Sequence, residues 1–210
     1  TSINMWTKLI YDAHIIAVAP VYKDDDYIVC ITQQYKIKAF KANEITSRKS
    51  SSGDVIVTAY NFESGCDIFI CSNTGEYCYF DFDDSIVQSR TASGIKLSFE
   101  KTKHTSLYIA KVKSESLITI GLDNGDNEGS IYIIDSASLK IGKRNNVPKK
   151  IKSLQNHFTI TCVNCIEKNS DFKNVVFVGS KGISKISSKL IKPTGVPRRV
   201  SLIPFGVHIL

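Results

Sequence analysis

Residues 67–80, DIFICSNTGEYCYF, hold an apolar run, the tight polar turn Asn73-Thr74-Gly75, and a second run in which large apolar and polar side chains alternate. Short runs of β-branched and aromatic residues, bounded by turn-forming Asn and Gly, are the signature of a β-hairpin. The pattern recurs at 27–40 (YIVCITQQYKIKAF), 116–135 (SLITIGLDNGDNEGSIYIID) and 174–186 (NVVFVGSKGISKI). Aligning Ile28, Ile68, Leu117 and Val175 as equivalent core positions gives spacings of 40, 49 and 58 residues. A repeat of this length, with loops of varying size, predicts a radial all-β array.

The repeated segments widen to His14–Phe40, Asp54–Phe80, His104–Asp135 and His157–Ile186 once the strand before each hairpin is included. IIAVAPVY, DVIVTAYNF, SLYIAKV and TITCVNCI supply those leading strands. No stretch of ten residues holds a 3.6-residue apolar period, so no helical domain is expected. The polar stretches 46–53 and 140–152 read as exposed connectors. Ser50, Ser51 and Ser52 lie in the first of them, beside basic residues.

Composition bounds the class. The chain has 210 residues, 42% hydrophobic and 22% charged, which suits an ordinary globular protein. Its apolar runs fall far short of the roughly 20 residues a membrane helix needs, and no secretory signal opens the sequence. Cys30, Cys71 and Cys78 sit in strand-like runs as small hydrophobes. Cys162 and Cys165 form a CxxC, but a strand sends residues three apart to opposite faces, so neither a metal site nor a disulfide between them is expected. These thiols suit a reducing, intracellular setting, cytoplasmic or nuclear. The loop 123–129, rich in Asp, Asn and Gly, has the oxygen donors of a calcium loop but neither flanking helices nor a twelfth-position glutamate. It reads as a solvated hairpin loop. No GxSxG, HExxH, P-loop or dinucleotide fingerprint is present, so no enzyme, cofactor or metal is expected.

Charge divides the chain in two. Residues 1–135 carry 13 Lys and Arg against 18 Asp and Glu, whereas residues 136–210 carry 14 against 2. Lys140, Lys143, Arg144, Lys149 and Lys150 crowd one interval, and Lys181, Lys185 and Lys189 another. These eight are the candidate basic partner-binding surface, facing nucleic acid or another acidic surface. Tyr132 and Phe158 would add base stacking only if exposed.

Ala13-His14 with Val18 and Val21, followed by Phe80-Asp81 and Ile134-Asp135 at strand ends, resembles the Gly-His and Trp-Asp pattern of WD repeats. His104 and His157 open later units in the same way, and Ile3-Asn4-Met5-Trp6 is similar to the closing strand of a preceding unit. The resemblance implies an all-β, WD-like β-propeller with four recognisable blades, at about 14–45, 54–90, 104–140 and 157–192, plus partial terminal blades. Residues 196–210 would then start a further blade or close the ring, with the chain a whole ring or a stretch of a longer protein. A β-pinwheel or a β-sandwich is the alternative fold. Residues 116–140 and 160–186 are also similar to blades in a core subunit of the HOPS and CORVET vesicle-tethering complexes, and to a ribosome-assembly WD-repeat protein.

The function this implies is a non-enzymatic protein-interaction scaffold, a subunit of a larger intracellular assembly with other protein subunits as partners. The alternative is an RNA- or ribosome-assembly-associated propeller whose basic C-terminal half contacts phosphates.

Overall fold

A computed structural model describes residues 19–44, 54–89, 92–100, 106–125, 129–152, 154, 158–168, 174–179, 182–187, 192–193, 195–200 and 204–209, with backbone alone for 174–187 and from 198 onward. Trp6, His14, Ser50, Ser51, Ser52, His104, His157, Lys181 and Lys189 lie outside the described residues.

The expected hairpins are present. β1 (Tyr27–Thr32) pairs with β2 (Lys36–Lys41), β4 (Asp67–Ser72) with β5 (Glu76–Asp81), β8 (Ser116–Asp123) with β9 (Gly129–Asp135), and β12 (Asn174–Gly179) with β13 (Gly182–Ser187). The first two turns each put one residue in the left-handed region. Gly75 adopts φ 86°, and Tyr35, at the matching place in the first hairpin, is held at φ 59°. Asn73, Thr74 and Gly75 close the second turn, with Gly75 N–H donating to the Ser72 carbonyl at 3.0 Å.

The leading strands do not join the hairpins that follow them. β3 (Ile56–Phe62) runs into β4 through the turn Glu63–Cys66, yet it pairs with β1. β7 (Leu107–Val112) precedes β8 and pairs with β4, while β11 (Thr159–Glu167) precedes β12 and pairs with β8. β15 (Pro204–Ile209) pairs with β12. Three short strands, β6 (Ile95–Lys96), β10 (Lys149–Lys150) and β14 (Arg198–Val200), add to the opposite edges, beside β2, β5 and β9. The sheet orders are therefore β3-β1-β2-β6, β7-β4-β5-β10, β11-β8-β9-β14 and β15-β12-β13. Each of the first three hairpins is flanked by two strands that come later in the chain, and the fourth, among the described residues, by β15 alone.

This topology corrects the propeller expectation. A WD blade is a meander in which consecutive strands pair; here the turn at Glu63–Cys66 is an arch between two stacked sheets. Among the described residues the sheets form no closed propeller ring. The all-β expectation holds: the described residues are mostly strand, with three single-turn 3₁₀ helices among them.

Stacking explains the long apolar runs. Alternate residues of β4 face opposite ways. Ile68 and Ile70 enter a core shared with Val29, Ile31, Ile37 and Phe62, whereas Phe69 and Cys71 enter a second core with Ile118, Ile120, Leu122 and Ile160. A strand covered on both faces reads as a continuous hydrophobic run rather than an alternating one. Ile68, Phe69, Ile70 and Cys71 are all fully buried. The leading strands β3, β7, β11 and β15 pack against one another in succession, so the units stack in order.

Register places three of the four aligned core positions together. Ile28 faces Phe40, Ile68 faces Phe80 and Val175 faces Ile186. The residue that matches them in the third unit is Ile118, opposite Ile134, and Leu117 sits one place earlier.

Candidate nucleic-acid interface

The stretch 140–152 is not a free connector. After β9 the chain forms a 3₁₀ turn, Ser136–Ser138, whose Ala137 N–H is capped by the Asp135 carboxylate at 3.0 Å. It then runs along the outer edge of the preceding sheet. Gly142 N–H donates to the Tyr79 carbonyl at 2.8 Å, and Gly142 forms a parallel bridge to Phe80. β10 pairs with β5, placing Lys149 opposite Tyr77 and Lys150 opposite Glu76, and Ile151 N–H donates to the Gly75 carbonyl at 2.9 Å. Ile151 and Leu154 are buried in the second core and pin the segment down. The polar sequence thus hides two apolar anchors.

The same device is built one unit earlier. Gln88 N–H donates to the Ala39 carbonyl at 2.9 Å, and Val87 bridges Ala39 in parallel. β6 places Ile95 opposite Ile37 and Lys96 opposite Lys36, and Leu97 N–H donates to the Tyr35 carbonyl at 2.8 Å. Leu97 and Phe99 are buried as Ile151 and Leu154 are. One unit later, β14 sets Arg198 opposite Ile131 and Arg199 opposite Ser130.

Register makes these residues equivalent. Ile37, Tyr77 and Ile131 hold the same hairpin position, so Ile95, Lys149 and Arg198 correspond, as do Lys96, Lys150 and Arg199. The next residue in each, Leu97, Ile151 or Val200, is apolar. A cation therefore recurs at one place on three successive outer edges. Lys96, Lys149 and Lys150 are exposed, as lysine on an edge strand commonly is. The edges are joined as well: Ser98, just past β6, donates its hydroxyl to the Asn145 carbonyl at 3.1 Å, tying the first edge to the second unit's connector.

Five of the eight expected site residues gather on this edge. Lys140, Lys143 and Lys149 line one shallow depression with Val147, beside Tyr77 and Tyr79. Arg144, half-buried, lines an adjoining depression with Lys143, Ser85, Asp81 and Asp83, so one end of the basic strip meets carboxylates. Lys150 is exposed on β10. Lys185 lies elsewhere, on β13 opposite Val176. Lys181 and Lys189 belong to the undescribed residues.

The acidic side chains that precede and follow the strip in sequence, Asp135 and Glu167, are both engaged with lysines outside it. Glu167 Oε1 lies 2.9 Å from Lys113 Nζ, which also reaches Glu63 Oε1 at 3.0 Å. Lys113 hydrogen bonding holds the Glu63 carboxyl below its usual range. Lys168 does the same for Asp135.

Other candidates resolve differently. Tyr132 is buried and Phe158 packs against the second core, so Tyr132 offers no stacking face. Cys162 and Cys165 lie on β11 opposite Gly121 and Ile118, and neither is in a disulfide. Among the described residues no three His, Cys, Asp or Glu side chains group as a metal site. Of the loop 123–129, the Asp123 carboxylate accepts from Gly125 N–H at 2.8 Å, an ordinary turn contact.

Sequence reading passed over Lys96, Arg198 and Arg199 as site residues. The signal was there: VPKKI at 147–151 and VPRRV at 196–200 are the same edge strand, repeated 49 residues apart, and IKL at 95–97 is its reduced form.

No protein-family model matches the sequence, and comparison with curated proteins finds no relative. Solved structures do match. The C-terminal domain of DNA topoisomerase IV aligns with a TM-score of 0.62 at 14% identity, over 81% of this chain and 55% of that one. The DNA gyrase A C-terminal domain aligns at 0.60 and 13%, over 82% and 58%. The E. coli ParC C-terminal domain aligns at 0.59 and 13%, over 82% and 69%. The chain thus spans a little over half the length of the first two. At these identities the likeness shows the fold alone. That fold is a β-pinwheel, in which the strand exchange between successive hairpins belongs, and it replaces the WD-repeat, HOPS/CORVET and ribosome-assembly resemblances.

Proposed function

We propose that this chain is a nucleic-acid-binding module that holds a phosphate backbone along the outer edges of its stacked sheets and catalyses no reaction itself. The observation that carries this reading is the recurrence of a cation at one register position on three successive edges, Lys96, Lys150 and Arg199, doubled by Lys149 and Arg198 on two of them. Cations repeated at the spacing of stacked sheets offer a row of charges to a polymer whose own charges repeat. A patch evolved only for solubility has no need of register.

Lys and Arg on an edge contact phosphate without reading sequence. Base-specific or single-strand recognition needs exposed aromatic faces or groove-reading side chains. With Tyr132 and Tyr79 buried and the Tyr77 ring stacked on Phe69 at 5.5 Å, the strip offers charge rather than stacking, which favours a duplex backbone. The likeness to domains of DNA topoisomerase IV and DNA gyrase A supports DNA as the polymer. Free, buried thiols fit an intracellular setting. The protein-scaffold reading drew on the WD resemblance and loses that support.

The test is fluorescence-anisotropy binding to two duplexes of unrelated sequence. Lys149→Glu with Lys150→Glu is expected to weaken both by the same factor, at least about tenfold at low salt. Unchanged duplex affinity together with strong, charge-dependent binding to a polyglutamate peptide would move the reading to an acidic protein surface.

A further inference from the structure

Val147 is 81% exposed, the most exposed apolar side chain among the described residues, and Val196 is 61% exposed. They hold the same place in the repeated edge motif, each followed by proline and then two cations: Val147-Pro148-Lys149-Lys150 and Val196-Pro197-Arg198-Arg199. A single exposed valine is unremarkable. Two at one repeat position, each fixed by the restricted backbone of a following proline, are a placed feature. Val147 also lines the depression that Lys140, Lys143 and Lys149 share with Tyr77 and Tyr79, so the apolar side chain has cations for neighbours. In the first unit the same place is Ser93-Gly94, which leaves the tip off that edge.

Resting on the duplex-binding reading above, we propose that Val147 and Val196 are apolar tips that enter the minor groove of the bound duplex on two successive edges and bend it at those points. Two cations follow each valine two and three residues on, and with phosphates held there the valine would meet the groove between them. An apolar wedge against base edges opens the groove and kinks the duplex away from the protein. In the minor groove A·T pairs present only acceptors, whereas G·C adds the guanine amino donor. An isopropyl group pressed on that donor leaves it without a partner, which is costly. Flexible TA steps also kink most easily. The tips therefore give an otherwise sequence-indifferent surface a preference for A·T-rich, TA-containing duplex.

The test compares wild type, Val147→Ser/Val196→Ser and Lys149→Gln/Lys150→Gln on 30-base-pair duplexes, TA-rich and GC-rich, labelled at both ends for energy transfer. Wild type is expected to bind the TA-rich duplex at least fivefold more tightly and to shorten its end-to-end distance. The valine double variant is expected to lose the preference and the shortening while keeping its affinity for the GC-rich duplex and its salt dependence. The lysine variant is expected to weaken both duplexes equally. Wild-type indifference to sequence, or bending that survives loss of both valines, overturns the proposal while leaving duplex binding standing. If the lysine variant binds as wild type does, duplex binding along this edge falls instead. Anionic vesicles that bind wild type but not the valine variant, with duplex bending unaltered, assign the tips to a membrane and overturn the proposal too.

Discussion

Lys113 and Glu63 occupy the same place in successive units, one residue past the end of a leading strand, and their side chains meet at 3.0 Å. Glu167, the last residue of the next leading strand β11, meets Lys113 at 2.9 Å from the other side. Alternating charge thus laces the ends of three successive leading strands together on the side where they stack.

Replacing Lys113 by Ala is expected to lower unfolding stability by about 0.5–1 kcal/mol at pH 7, a modest amount because the side chains are roughly half exposed. The loss should shrink in 1 M salt. The pH sign follows from Glu63, whose carboxyl is held down by Lys113. A depressed carboxyl stabilises above its unfolded value of about 4.5 and loses that contribution as pH falls through the folded value. Urea titrations at pH 7 and pH 3 should therefore show wild type and Lys113→Ala converging in acid. A gap that widens in acid would contradict the ladder.

Ile68→Ala and Ile118→Ala should each cost about 2–5 kcal/mol, since both side chains are fully buried. Phe69→Ala, on the opposite face of the same strand as Ile68, should cost about 3–5 kcal/mol and act through the second core. Because the two cores are separate, an Ile68→Ala/Phe69→Val double variant tests whether one sheet transmits both losses. Chemical denaturation monitored by far-UV circular dichroism measures each.

How much of this was legible in the sequence depends on which relation is asked. The hairpins were, because Asn73-Thr74-Gly75 between two apolar runs has one local solution. Pairing of the leading strands was not: the turn at Glu63–Cys66 has the composition of a hairpin, and only tertiary packing makes it an arch. The slip between Leu117 and Ile118 has a related cause. Ser116–Leu122 is buried at every position, so no alternation marks which side chain faces which core. The basic interval was visible as charge, but the anchoring by Ile151 and Leu154 was masked by the lysines around them. The repeat VPKKI and VPRRV would have revealed the edge strand, had it been sought within the connectors.

The thiols should be nearly inert in the folded chain. Burial pushes Cys30 and Cys162 up to about 11 and Cys78 to about 12, and Cys71 higher still. Thiolate is the reactive form, so alkylation by iodoacetamide at pH 8 should be slower by at least about tenfold than in the urea-unfolded chain. Intact-mass spectrometry over time reads the number of adducts. Rapid modification of Cys71 in native buffer would mean that the second core opens readily.

The most direct measurement is the salt dependence of duplex affinity for wild type and for a variant with Lys96, Lys149, Lys150, Arg198 and Arg199 all changed to Gln. Each phosphate contact contributes roughly 0.9 to the slope of log affinity against log salt. The account predicts a steep wild-type slope that falls by about 4–5 in the variant, with affinity reduced alike for unrelated sequences. A variant with the wild-type slope and affinity would show that the repeated edge cations hold no phosphate, and the account would fail.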